Sequence, residues 1–262
     1  MREATRRGFL GRVGATVVMA ACCLAGIAAS APAQDAASRQ GWTFAVTPYL
    51  WVPAIDIETS LPDRPPSEPP EDVRFDTGLT GAAMLTLRAR HGAWGGFVDF
   101  AYAKAVSESV VAGVLYSGVR LDAEITHATA VGTYRVPMGP NADVDLLAGA
   151  RLWWVDETLK FAAGVLPAYA SSGGETWLDP LLGVDVAYRV GRDWRLTALV
   201  TLANIGSGDT LSVETFAGVG YRVNDRFSAT AGYRYLREEY ADEGFSLDAT
   251  FSGFMVGAGF HF

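Results

Sequence analysis

Gly253-Phe254-Met255-Val256-Gly257-Ala258-Gly259-Phe260-His261-Phe262 puts Phe254, Val256, Ala258, Phe260 and Phe262 at every second position, with glycines, Met255 and His261 between them. A period of two is the period of a β-strand, whose side chains point alternately to opposite faces. The run is also ten residues long, about what a tilted strand needs to cross a bilayer and longer than the five or six residues usual in soluble sheets. The same alternation runs upstream. Phe227, Ala229, Ala231, Tyr233 and Tyr235 oppose Ser228, Thr230, Gly232, Arg234 and Leu236. Trp194, Leu196, Ala198, Val200 and Leu202 oppose Arg195, Thr197, Leu199, Thr201 and Ala203, and Leu178, Pro180, Leu182, Val184, Val186 and Tyr188 oppose Asp179, Gly183, Asp185 and Arg189.

Counting such runs along the chain predicts about ten strands, near 41–53, 78–90, 93–106, 119–136, 143–158, 175–190, 194–205, 211–223, 226–240 and 246–262. Short turns at His91-Gly92, Pro137 to Ala142, Gly191-Arg192-Asp193 and Asn224-Asp225-Arg226 alternate with longer connections near 54–77, 107–118 and 159–174. Short turns at one end and long loops at the other are the layout of a membrane-spanning antiparallel barrel, with the short-turn end periplasmic. The expectation is therefore all-β: a single antiparallel transmembrane β-barrel of about ten strands. An even strand number places both termini on the periplasmic side. The first long connection, Pro62-Asp63-Arg64-Pro65-Pro66-Ser67-Glu68-Pro69-Pro70, is proline-rich and acidic, as an extended solvated loop would be.

Aromatic residues sharpen the reading. Trp42, Trp94, Trp194 and Phe227 begin rising strands, while Tyr134, Tyr188, Tyr221 and Phe262 lie near the ends of descending ones. All eight fall beside the short turns, where a girdle of amphipathic rings would meet one membrane interface. Tyr102, Trp154 and Tyr235 are candidates for the opposite girdle. Trp51 stands out of step with Trp42, which predicts a bulge near Pro48.

The first 33 residues read as a signal peptide. Four arginines precede an apolar stretch from Val13 to about Ala29, and Ala31-Pro32-Ala33 predicts cleavage between Ala33 and Gln34. Residues 34–40 form a short linker and 41–262 the barrel. Arg6-Arg7 resembles a twin-arginine export signal, and Met19-Ala20-Ala21-Cys22 faintly resembles a lipoprotein box. Both cysteines, Cys22 and Cys23, lie in this segment, so the mature chain carries no thiol chemistry. Its removal takes Arg2, Arg6, Arg7 and Arg12 together with Glu3, moving the net charge from −8 to −11. A nucleic-acid partner is disfavoured by that sign. A mean hydropathy of +0.16 is high for a water-soluble chain.

Several short motifs together resemble an uncharacterised family of proteobacterial outer-membrane β-barrel proteins: Thr47-Pro48-Tyr49-Leu50-Trp51, Leu146 to Trp153, Trp177-Leu178-Asp179-Pro180, Gly220 to Arg226, Gly232 to Leu236 and Gly259-Phe260-His261-Phe262. The resemblance spans nearly all of the mature chain. It implies a fold and a compartment, the outer membrane of a Gram-negative bacterium, and brings no catalytic residue with it.

Candidate chemistry lies on the inward positions. Arg88, Arg90, Arg135, Arg189, Arg195 and Arg222 gather near the periplasmic ends, with Asp99, Asp145, Asp185 and Glu214 adjacent or deeper and Arg151 and Arg234 further along. Ten strands enclose a narrow lumen, so these charges read first as a salt-bridged plug and second as a porin-like, narrow anion-favouring pore. A structural barrel or small-solute pore is the leading expectation. A soluble periplasmic barrel binding a small apolar ligand is the alternative, and a barrel enzyme comes third. The histidines are only His91, His127 and His261, and no hydrolase, zinc or phosphate-loop motif accompanies them. No catalytic residue, metal or cofactor is expected. The expected partners are outer-membrane lipid, lipopolysaccharide and, during insertion, the barrel-assembly machinery.

Overall fold

The computed structural model describes residues 41–60, 78–109, 115–205, 211–242 and 245–262. The expected signal peptide, its cleavage point at Ala33 and Gln34, the 34–40 linker and most of the proline-rich loop lie outside these residues.

Ten strands follow one another: β1 (Thr43–Ser60), β2 (Gly78–His91), β3 (Trp94–Ser109), β4 (Tyr116–Pro137), β5 (Ala142–Ala163), β6 (Tyr169–Val190), β7 (Trp194–Ala203), β8 (Ser212–Arg222), β9 (Phe227–Asp242) and β10 (Phe245–His261). Each pairs antiparallel with its neighbour in the chain, and β10 returns to β1, so the sheet closes into a barrel, with β1 and β2 paired from Thr43↔Arg90 to Pro48↔Leu85. Closure removes the row of unpaired amides that would otherwise face lipid. The seam is held to its last residue: Phe262 N donates to Phe44 O at 2.9 Å, and Phe44 N donates to Phe262 O at 3.2 Å. Both chain ends of the barrel lie at its short-turn end. There Gly92 and Gly191 take φ of 59° and 69°, conformations that suit glycine in a tight hairpin.

Outward and inward faces alternate as the pattern requires. Trp42, Leu50, Val52, Trp94, Leu146, Leu178, Leu182, Trp194, Leu196, Phe254 and Phe262 are all exposed on the outside. So large an apolar surface would not persist on a monomer in water, and it wraps the closed wall as a belt. At its short-turn border the rings meet in pairs. Trp94 and Tyr134 lie 4.9 Å apart by centroid, Trp194 and Tyr221 4.8 Å, and Phe227 and Phe260 5.6 Å. At the far border Tyr102 and Trp154 sit in one register row through Thr126. Trp94 to Tyr102 spans nine residues of β3, within the range a tilted strand needs.

Two expectations need correction. The strands do not stop where the apolar alternation stops: β1 runs on to Ser60, β5 to Ala163, and β6 begins at Tyr169. The connection expected over 159–174 is thus largely ladder, because backbone pairing continues in water once the outward positions turn polar. There is also no bulge at Pro48. The β1–β10 offset is the same on both sides of Pro48, from Ala45↔His261 and Val46↔Phe260 to Tyr49↔Gly257, Trp51↔Met255 and Ser60↔Ser246, although the β1–β2 ladder stops at Pro48↔Leu85. Trp51 is simply an inward residue, 3% exposed.

Candidate functional site

The lumen is built in layers. At the short-turn mouth, inward arginines from β2, β4, β6 and β7 meet aspartates from β5 and β6. Asp143 is within ion-pair distance of Arg135 (3.2 Å), Arg189 (3.4 Å) and Arg195 (3.1 Å). Asp145 accepts two hydrogen bonds from Arg135, both 3.0 Å, and a short one from Arg90. Arg88 pairs with Asp185 at 3.0 Å and its guanidinium lies 4.9 Å from the Phe97 ring centre. Arg222 has no ion pair among the described residues.

Above this layer sits a closed network. Arg234 of β9 reaches Asp99 of β3 at 3.2 Å and Glu214 of β8 at 2.7 Å, and donates to the Tyr49 hydroxyl at 2.8 Å. Tyr49 in turn donates to Asp99, which also accepts from Thr86. Arg151 pairs with Glu214 and donates to Thr129 and Ser212. Two guanidiniums are thereby matched by two carboxylates, the balance that makes buried charge tolerable.

The next layer is aromatic and aliphatic. Trp153 stacks on Trp177 at 5.8 Å and Trp177 on Tyr240 at 4.2 Å, while Trp51 leans on Phe251 at 6.2 Å. Arg234 lies 4.8 Å from the Trp51 ring centre, and Arg151 5.9 Å from that of Trp153, joining the two layers by cation–π contact. Around them pack Ile55, Ile57, Met84, Ala101, Ile125, Val155, Leu236, Leu247 and Ala249. Trp153, Ile57 and Ala249 are wholly inaccessible and Leu236 and Val155 are 1% exposed.

All twelve lumen charges expected from the sequence therefore sit on inward positions. Eleven join the two ionic layers and Arg222 stands at the rim. Sequence reading passed over Asp143, Tyr49 and the acids Asp179 and Glu238, whose carboxylates share the Trp177 indole donor at 3.2 and 3.4 Å. It also passed over the apolar plug. Parity was the available signal, since Trp51, Trp153, Ile55 and Ile57 all occupy inward positions, but a polar lumen was assumed.

The histidines fall in three different settings. His127 is 4% exposed, lies 4.9 Å from Trp153 and is walled inside the plug. His91 sits at a hairpin with its ring 5.3 Å from that of Trp42. His261 is hydrogen-bonded to Ser228 at 2.8 Å, yet no carboxylate among the described residues holds its other nitrogen, as a serine nucleophile's base would need.

Outside, beyond the apolar belt, charges form a collar. Lys104 pairs with Glu124, Arg120 with Glu108 at 2.6 Å and Asp122 at 2.8 Å, and Arg237 with Asp248 at 2.7 Å and Glu239 at 2.6 Å. Lys160 reaches Asp122 at 2.5 Å, and the hydrogen bonds from Lys160 and Arg120 hold the Asp122 carboxyl below its ordinary range.

No protein-family model matches the chain, and no curated protein matches it. Among solved structures, the outer membrane protease OmpT from Escherichia coli is similar in fold, with a TM-score of 0.57 at 10% identity over 86% of this chain and 98% of that one. The translocator domain of the autotransporter NalP from Neisseria meningitidis matches over 96% of this chain and 98% of that one, with 13% identity and a TM-score of 0.40. Ail, the attachment invasion locus protein of Yersinia pestis, matches over 85% and 99%, with 15% identity and a TM-score of 0.32. The fold is that of the outer-membrane β-barrels.

Proposed function

We propose that this chain stands in the outer membrane of a Gram-negative bacterium as a closed, non-conducting structural barrel, with its short turns and both ends in the periplasm. The observation that carries the proposal is the burial of inward Ile57, Ile125, Trp153, Leu236 and Ala249 in one cluster, contributed by β1, β4, β5, β9 and β10. Side chains from eight of the ten strands pack together there, and a lumen filled by apolar side chains resists a hydrated ion. The motif resemblance to the uncharacterised proteobacterial barrel family supports the compartment, and the apolar belt argues against the soluble alternative. A catalytic role lacks support from the described residues, because the buried histidine cannot meet a substrate and the exposed ones lack the partners that acid–base work requires.

Two measurements test the proposal. The mature chain should aggregate without detergent and run as a folded, heat-modifiable species with it. In planar bilayers it should show no steady conductance above the bare membrane. A monodisperse detergent-free protein would sink the membrane assignment, and a large stable conductance would sink the closed lumen.

A further inference from the structure

The short-turn mouth carries more positive charge than its own acids neutralise. Six inward guanidiniums gather there, Arg88, Arg90, Arg135, Arg189, Arg195 and Arg222, against Asp143, Asp145 and Asp185 among the described residues. The aspartates are shared, three arginines crowding Asp143 alone. Arg90 Nη1 is buried and without an acceptor. Asp99 and Glu214 are engaged by Arg151 and Arg234, and Asp179 and Glu238 lie at Trp177 in the layer above that, so the six guanidiniums of the mouth face three aspartates. In a chain of net charge −8 such a surplus is local and has to be read locally.

The surplus is also reachable. The side chains of Arg88, Arg189 and Arg195 are 40%, 42% and 49% exposed, whereas those of Arg151 and Arg234 above are 1% and 5% exposed. Gly220 pairs directly with Arg195 on the neighbouring strand, and Gly257 and Gly259 of β10 lie against Thr47, Tyr49 and Ser228, so the wall beside the arginines carries no acid. Ser228 and His261 stand beside it as neutral hydrogen-bonding groups. The ceiling is the ionic network and the sealed plug.

We infer that the short-turn mouth is a blind vestibule that binds a small multivalent oxyanion of the phosphate-ester or diphosphate class. Guanidinium forks match the oxygen pairs of phosphate, and two or three negative charges are what the surplus calls for. A long polyanion does not suit a recess that ends blindly. The vestibule is blind because the lumen is closed, as in the preceding proposal, but binding at its arginines does not depend on that closure.

Titration of the refolded mature barrel with pyrophosphate, by calorimetry in an uncharged detergent, tests the inference. Saturable binding is expected, weakening as sodium chloride screens the site. Arg195→Gln with Arg222→Gln should weaken it by about tenfold or more, since each lost charge-assisted contact is worth roughly that factor. Arg120→Gln, at the opposite end of the barrel, should bind like the wild type. If the double variant fails to show heat-modifiable mobility, Arg222→Gln alone is decisive, because it breaks no ion pair among the described residues and should still weaken binding severalfold. Absence of pyrophosphate binding to the folded wild type, or unchanged affinity in a folded Arg222 variant, would overturn the vestibule. Bilayer conductance decides the closed lumen separately.

Discussion

The guanidinium of Arg234 on β9 donates to the carboxylate of Asp99 on β3 at 3.2 Å, across 135 residues of sequence and four steps around a ring of ten strands. The contact ties opposite parts of the wall through the lumen, and Glu214 and Tyr49 complete it. Removing Arg234 leaves Asp99 and Glu214 buried with less compensation. Arg234→Met should lower the unfolding free energy of the detergent-solubilised barrel by about 3–5 kcal/mol, read from tryptophan fluorescence in urea. A triple change, Arg234→Met with Asp99→Leu and Glu214→Leu, should recover part of that loss. Equal loss in the single and triple variants would mean that packing volume, and not uncompensated charge, is what Arg234 supplies.

The seal lies in the aromatic and aliphatic layer, above the arginine mouth. Removing Arg189 with Arg222, which a plug made of salt bridges alone would make the opening change, should leave conductance near the bare membrane. Trp153→Ala with Ile57→Ala should raise it, because those side chains are wholly buried at the constriction. Single-channel recording separates the two, and a conducting Arg189/Arg222 variant would move the seal down to the mouth.

Phe262 ends the chain at the seam. It exchanges two backbone hydrogen bonds with Phe44, and its ring is 78% exposed at the short-turn girdle. Deleting Phe262 should therefore reduce insertion and leave a protease-sensitive species in cells, whereas His261→Ala, on the inward face, should have much less effect. Insertion and heat resistance equal to wild type in the deletion variant would show that closure does not need the last residue.

In the collar, Asp122 is held ionised by Lys160 and Arg120. A carboxyl lowered in the folded state stabilises above its unfolded value, and that contribution disappears as pH falls through the lowered one. Lys160→Ala should move the Asp122 carboxyl upward in a carbon-detected NMR titration. Because the pair is solvent-exposed, the thermal stability of the barrel should barely change. An unmoved titration would mean that Arg120 alone sets it.

The girdle residues Trp94, Tyr134, Trp194 and Tyr221 were legible because each is fixed by local parity and by its distance from a short turn. The inward arginines were legible for the same reason. What parity could not supply was partnership. Arg234 and Asp99 belong together only because β9 and β3 face one another once β10 has closed on β1. Asp143 was passed over because its neighbour in the chain is a turn, and Trp51 because an inward tryptophan contradicted an assumed polar lumen. The far ends of β5 and β6 were read as loop because polar outward residues such as Asp156 and Lys160 broke the apolar period, although their backbones stay paired.

Sequence by itself determined the strand period, the strand number and which face of each strand meets lipid, because alternation along one strand is a local property of the pleated backbone. The filling of the lumen was decided only by the tertiary structure. Closure and register choose which inward side chains stand at one height, and so make Arg151, Arg234, Asp99 and Glu214 a network beneath an aromatic and aliphatic plug while leaving the mouth with arginines in excess.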